Sequence, residues 1–366
     1  MESSAERDNR MVWKQGKAGH YEVWYATFNH RPSQTGFWIR YTLDAPKAGH
    51  GVPTCQLWFA FFDAKNPKNN VALNQRFPID ALEHQATPFA LRLGGATFDP
   101  THLRGAICGG GCVEDDPHGD ERPLPAVSWD LELAPSTFTH HHLPASAYRR
   151  DFADTRVLSP NLLTQINGRI EVGDRVFELE DEPGCQTHVW GRKHAHAWAW
   201  GHCNAFREEP TAGIEILSVR LRRGPLVTLP MTMLSLYLGS EVYHFREFWQ
   251  LPLTRGRWET GLLRFGATGT RVKIVGEFRC QPDDLVRATY ADPDGAEAFC
   301  HNTEIANASL RVYQRRTPLG KFKDYAKLTA HASAHFEYAG RSPDGRVQNE
   351  HLAVVPEHED RDPHSL

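Results

Sequence analysis

Between His194 and Phe206 the chain reads H-A-H-A-W-A-W-G-H-C-N-A-F, with every even position large and every odd position Ala, Gly or Cys. A strand sends successive side chains to opposite faces, whereas a helix would scatter them. The pattern therefore predicts a strand with His194, His196, Trp198, Trp200, His202, Asn204 and Phe206 on one face. The other face carries only small groups, which lets a second layer approach closely. Two tryptophans flanked by three histidines and an amide can hold an apolar ligand while offering it a few polar contacts.

Strand signals dominate the rest of the chain. YEVWYATF, GFWIRYTL, QLWFAFFD, AVSWDLEL, AGIEILSVRLR, RVKIVGEFRC and ASLRVYQR are short, rich in β-branched or aromatic residues, and bounded by Gly, Pro, Asn or Asp. NGRIEVGDRVFELE reads as a hairpin turning at Gly173 and Asp174, and GATGTR as another hairpin turn. Few stretches support a helix, so the predicted class is all-β, with antiparallel barrels or sandwiches.

At 366 residues the chain exceeds one usual core, and two domains are expected. The irregular, histidine-bearing stretch from Pro135 to Pro160 is the best boundary: an N-terminal domain over 1–158, a C-terminal domain over 159–345, and a polar tail over 346–366. The residues up to about Arg10 and beyond about Pro356 read as disordered ends. The Gly-, Pro- and Asp-rich segment from Gly94 to Pro125 reads as a long loop, and His140, His141 and His142 as part of a solvated one.

The 19 Phe, 10 Trp and 10 Tyr, with 40% hydrophobic and 23% charged residues, fit a soluble globular protein rich in aromatics. A net charge of -4 without basic clusters argues against nucleic acid as a partner. No apolar run approaches the ~20 residues needed to span a bilayer, so no transmembrane segment is predicted, while peripheral contact with a membrane stays open. The start has neither a basic nor an apolar leader region, so the expected location is cytoplasmic. Seven scattered cysteines fit reduced thiols, and Cys108 and Cys112, the one close pair, lack zinc-knuckle spacing. His194 and His196 could meet His188 around a metal. His202 could not join them, since His196 to His202 spans about 20 Å on an extended strand. No metal and no cofactor are predicted. No G-x-S-x-G elbow, P-loop or dinucleotide fingerprint supports a hydrolase, NTPase or dehydrogenase.

Two segments resemble a known family. GRIEVGDRVFELEDEPGCQTHVWGRKHAHAWAWGHCNAF is similar to the tocopherol cyclases, which carry a hairpin, an N-W-G step and W-x-W-x-Q-C-N-x-F; the matching residues are Trp190, Gly191, Trp198, Trp200, Cys203, Asn204 and Phe206. GHYEVWYATF, with Glu22, Trp24 and Tyr25, resembles the F-E-G-W-Y start that those cyclases share with carotenoid 1,2-hydratases of the hydroxyneurosporene synthase type and AttH-like proteins. Cys300, Thr303, Leu310 and Val312 fall where the cyclases carry a C-terminal strand motif. The resemblance implies two consecutive lipocalin-like β-barrel domains around an apolar pocket, and acid-initiated addition to prenyl double bonds. Two positions depart from the pattern. The hydratases read H-D-H-N-W-G, and the Asp that would donate the proton is Thr187 here; the cyclase Gln is His202. Similar barrels also include Diels-Alderases, so fold alone licenses no reaction.

Protonating an alkene takes an acid in a dry pocket and a wall that tolerates the carbocation, and aromatic faces supply such a wall. Trp24, Tyr25, Trp190, Trp198 and Trp200 are candidates, and the competing reading of each is an ordinary core aromatic. Glu22 is the leading acid, since a carboxyl buried in an aromatic strand would be a proton donor near neutral pH. The competing readings are that it faces outward or pairs with Arg40. His188 is the second candidate donor and Glu247 a third, while Asp181 and Glu182 read as turn residues. His202 and Asn204 would orient a phenol or hydroxyl. The expected partner is thus a hydrophobic isoprenoid or polyketide-like small molecule. It would be either cyclised or hydrated, or carried without turnover by a lipid-binding protein.

Overall fold

A computed structural model describes residues 3–108, 124–149, 153–350 and 352–354. The first half contains β1 (His20–His30), β2 (Thr35–Ala45), β3 (Thr54–Asp63), β4 (Val71–Pro78), β5 (Glu83–Ala86), β6 (Phe89–Leu93), β7 (Ala96–Phe98), β8 (His102–Ile107), β9 (Val127–Leu133), β10 (His140–His141), β11 (Thr155–Val172) and β12 (Arg175–Gly191). The second contains β13 (Ala197–Cys203), β14 (Gly213–Arg220), β15 (Arg222–Arg223), β16 (Leu226–Val227), β17 (Met231–Leu238), β18 (Glu241–Phe245), β19 (Thr254–Glu259), β20 (Leu262–Thr268), β21 (Val272–Arg279), β22 (Val286–Ala291), β23 (Glu297–Gln314) and β24 (Lys323–Gly340). A last strand, β25 (Leu352–Val354), returns to pair in parallel with β4.

β1 to β12 form one curled sheet in the order β4-β3-β2-β1-β12-β11-β9-β8-β7-β6-β5, with β10 beside β11. The second sheet runs β18-β17-β14-β13-β24-β23-β21-β20-β19, with β22 beside β23. Both are antiparallel and strongly curved, the two lipocalin-like halves that the family resemblance implies. The chain changes sheet between Gly191 and Ala197, so the expected boundary at 158/159 falls inside β11. The irregular stretch before it is a link within the first half, and Pro160 sits where the β11–β12 register shifts. The hairpin at Gly173 and Asp174 forms as read, but its strands run the full height of the sheet. Its counterpart in the second half is the equally long and bulged β23–β24 pair.

Each sheet closes over its own core. Trp24, Phe28, Phe37, Phe59 and Trp129 fill the first, and Phe206, Phe265, Phe278 and Phe336 the second. A third apolar cluster lies between the sheets and includes Tyr21, Val23, Tyr25, Trp38, Trp58, Trp198, Trp200 and Tyr290. β1 is therefore buried on both faces: its odd residues reach the space between the sheets, and Glu22, Trp24, Ala26 and Phe28 face the first core. Each large side chain so buried contributes about 1.5–3 kcal/mol.

Three loop readings are corrected. The start of the Gly94–Pro125 segment is a meander, β6 to β8, turned at Gly94 and Gly95, whose φ values of 57° and 83° suit a two-residue hairpin turn. Its strands are too short to carry a periodic signal, and Cys112 lies outside the described residues. The N-terminus is docked rather than free: a short helix (Ser4–Asp8) buries Ala5 and leads into fully buried Asn9. Asn9 exchanges side-chain hydrogen bonds with Gln186 and accepts the Trp24 indole N–H on its carbonyl at 2.8 Å. His140 and His142 are buried, bonded to Tyr237 Oη at 2.9 Å and to Glu215 at 2.8 Å.

Candidate active site

The two sheets do not close completely on each other. Between β1, β2 and β12 of the first and β13, β14, β17, β22 and β24 of the second lies a cavity of about 640 Å³. Trp38, Tyr25, Val189, Trp198, Trp200, Leu217, Met233 and Tyr290 form most of its wall, while Lys193, Asp154, Arg222, Arg223, Glu297 and Phe248 belong to its rim. An apolar hollow with a few convergent polar groups, set where two halves meet, is the usual form of a small-molecule site.

β13 presents its tryptophans there because the alternation of sizes holds. Trp198 and Trp200 face the cavity cluster, whereas Ala199 and Cys203 enter the second core. The small face is required: a Cβ on Gly201 would lie 2.6 Å from the Phe278 ring. The strand itself begins at Ala197. His194 instead stacks on Tyr21 with ring centroids 4.3 Å apart and bonds Asp292 at 2.8 Å.

Each of these tryptophans donates its indole N–H to a carboxylate, half-buried in Glu337 and fully buried in Glu215. Trp198 reaches Glu337 Oε1 at 2.6 Å, and Trp200 reaches Glu215. Glu337 is on the cavity wall. Behind it on the same face of β24 stands His335, its Nε2 3.8 Å from Glu337 Oε2 and its Nδ1 2.8 Å from Glu304 Oε1. Burial alone would push the His335 imidazole down; Glu304, then Glu337 and Glu215, push it up to about 9. A positive imidazole thus stands 3.8 Å from Glu337 Oε2, with no hydrogen bond between them. Glu215 also accepts His142 Nε2 and His202 Nδ1, both at 2.8 Å. Burial would raise its pKa, but the two histidines hold it well below the ordinary carboxylate range. Tyr25 packs edge-on to Trp200, centroids 5.6 Å apart, with a buried hydroxyl that meets no partner among the described residues.

Of the residues singled out from sequence, Tyr25, Trp198 and Trp200 meet at the cavity. Glu22 and His188 are together, but on the opposite faces of β1 and β12. Glu22 accepts Val12 N and Trp13 N at 2.7 Å each, His20 Nε2 at 3.0 Å and His188 Nε2 at 2.9 Å; His188 Nδ1 donates to Asp8 O at 2.8 Å. Burial would raise Glu22; these donors, His188 foremost, hold it below its ordinary value. A carboxylate so bonded holds down the N-terminal segment and is remote from the cavity wall. Trp24 stacks on His188 at 4.9 Å and Trp190 lies against the same ring at 4.8 Å, both away from the cavity. His202 is spent on Glu215, and Asn204 donates to Gly184 O at 2.8 Å. Thr187 faces between the sheets, bonded to Ser159 Oγ at 2.8 Å. Among the described residues no group of three or more His, Cys, Asp or Glu is placed to hold a metal.

Sequence reasoning offered Arg40 only as a partner for Glu22, which it does not meet because it bonds Thr42 on the other face, and it missed Arg40 as a cavity residue along with His335 and Glu337. No local pattern marks the last two, since His335, Phe336, Glu337 and Tyr338 are four large residues in a row; they emerge only in the ladder, where Trp200 pairs with Glu337 and His202 with His335.

Two lipocalin-like β-barrel halves clasping an aromatic cavity define the class of protein. Within it, the chain belongs to the tocopherol cyclase-like family, whose family model matches residues 94–335. It is 24% identical over 307 residues to Uncharacterized protein Rv0493c of Mycobacterium tuberculosis strain H37Rv, a match covering 82% of this chain and 83% of that one. The fold is similar to the crystal structure of a protein assigned as AttH from Nitrosomonas europaea, with a TM-score of 0.51 and 11% identity over 90% of this chain and 99% of that one. It is also similar to that of CghA, with a TM-score of 0.50 and 10% identity over 92% and 95%. No helix of the described residues is long and apolar enough to cross a membrane.

Proposed function

We propose that the cavity binds a hydrophobic isoprenoid or polyketide-like molecule and that the protein catalyses its acid-initiated cyclisation or hydration. The observation that carries this reading is the Glu337 carboxyl set into a wall of Trp198, Trp200 and Tyr25, with the protonated His335 behind it. The Glu337 carboxyl gives its proton to one carbon of an alkene. The cation that forms on the other carbon is stabilised by the indole faces, an effect worth about 0.5–2 kcal/mol per contact. A ligand hydroxyl, or water, then closes the C–O bond, and the proton it sheds returns to Glu337. Glu22 and His188, the donors expected from sequence, play no part in this scheme because they serve the N-terminal segment.

The test is incubation with geranylated hydroquinone and with lycopene, followed by mass spectrometry for an isomeric product or one heavier by a water. Glu337→Gln should lower turnover by about 100-fold or more, the usual contribution of a positioned acid, while Glu22→Gln turns over normally wherever it is folded. Full turnover in Glu337→Gln overturns the assignment. Thr187 in the place of the hydratase acid favours a second reading, a carrier without turnover. Release of an intact ligand in native mass spectrometry, never converted on incubation, supports that reading.

A further inference from the structure

Arg40 is a cation with 6% exposure on the cavity wall that forms no ion pair among the described residues; Asp44, on the same face of β2, feels its charge but spends an oxygen on Gln56. Its Nε donates to Thr42 Oγ1 at 2.9 Å. The guanidinium carbon lies 4.1 Å from the Tyr290 ring centroid, 5.6 Å from that of Trp38 and 6.0 Å from that of Trp58. A guanidinium has five N–H donors, and a buried one whose donors are left over is costly unless something accepts them. The aromatic box eases the charge but accepts no in-plane hydrogen bond. Directly opposite Arg40 in the β1–β2 ladder is Tyr25, whose side chain leaves the sheet on the same face. Opposed residues have Cβ atoms about 4.5–5.5 Å apart, and the Tyr25 hydroxyl is buried without a partner among the described residues. Burial keeps that phenol neutral and able to donate. Two unspent donors, one of them cationic, thus stand side by side on the cavity wall. Glu337 faces the same cavity from the other sheet and forms no ion pair with Arg40.

We propose that Arg40 and Tyr25 form an acceptor site for the head group of the ligand, and that this ligand is an amphiphile bearing a carboxylate. The proposal rests on the cavity being a ligand site and adds the chemical class of what enters it: an apolar chain along Trp198, Trp200 and Met233, with its acidic end on Arg40. It also orients the ligand, placing the anionic end at the first sheet and the apolar part beside Glu337 in the second.

The measurement is the affinity of dodecanoic acid and of dodecan-1-ol for the full chain at pH 7.5, followed by tryptophan quenching and calorimetry. The acid should bind about 10- to 100-fold more tightly, as a charge-assisted hydrogen bond requires. Arg40→Met should erase the preference, mostly by weakening the acid, and Arg40→Lys should restore part of it. Equal affinity of acid and alcohol in the natural protein, or a preference that survives Arg40→Met, overturns the head-group site and leaves the cavity reading standing. Failure of both probes to bind overturns both. If Arg40→Met does not fold, Tyr25→Phe and Arg40→Lys decide: a preference reduced several-fold in either supports the site, and one unchanged in both overturns it.

Discussion

Glu22 shows how little a residue's type says about its task. A carboxylate in an aromatic strand is costly to bury unless it is bonded, and here two backbone N–H groups and two imidazoles meet it. Its neighbours Val12 and Trp13 come from a segment with almost no apolar periodicity, so the chain before β1 is held by hydrogen bonds rather than by a hydrophobic face. Removing one member of a buried ionic cluster typically costs about 3–5 kcal/mol, because the remaining charges are left uncompensated. Glu22→Gln should therefore lower stability by that order in urea denaturation, speed amide exchange around Asn9, and leave ligand affinity in the cavity intact. A variant with normal stability and lost turnover would instead return Glu22 to the list of proton donors.

At the scale of elements, β13 is where sequence and structure agree most closely. Its small face was readable because the period of two leaves no choice of side, and its purpose follows from the ring of Phe278 lying against Gly201. Adding a methyl group there should destabilise the protein by about 1–3 kcal/mol through overpacking. Phe278→Leu, which vacates the space, should recover part of the loss, so that a double-mutant cycle on Gly201→Ala and Phe278→Leu shows coupling. Additive costs would mean that the two side chains do not share that space. The same alternation predicted which of β13's side chains face the cavity, but only as far as Trp200; beyond it His202 is bonded to Glu215. Nothing local could reveal this, because Glu215 lies on the neighbouring strand and His142 comes from the other half. Arg40 was legible as a residue and not as a site, since its significance is that no carboxylate forms an ion pair with it among the described residues. The boundary at 158/159 failed for a similar reason: Pro160 and the histidines read as a linker, while long-range pairing of β11 with β12 carries the strand straight through them.

The whole molecule is two barrels joined by a layer that is apolar around the cavity and ionic beyond it. β23 packs on β1 there, with Asn29 donating to the Glu304 carbonyl at 2.7 Å and Gly36 so near Glu304 that a Cβ would lie 2.4 Å from it. Glu304, Glu215, His142, His202 and His335 are all buried in or beside this junction. Burial pushes Glu304 up, and three carboxylates push His335 up to about 9, so the pair keeps its proton on the imidazole. The folded value of His335 lies above its ordinary 6.5, and its contribution to stability is therefore present in full below about pH 6.5 and lost as pH rises through about 9. Glu215 has the opposite sign: its folded value is depressed, so its contribution is present above 4.5 and lost as pH falls towards that folded value. Stability carried by the junction should thus be greatest between these limits. Denaturation measured from pH 6 to pH 10 should show a loss on the order of 3 kcal/mol that His335→Gln abolishes. Since the group that titrates lies between the sheets, the same rise in pH should increase amide exchange in β1 and β24 together. An alkaline loss confined to one barrel, or one that persists unchanged in His335→Gln, would place the responsible group outside the junction.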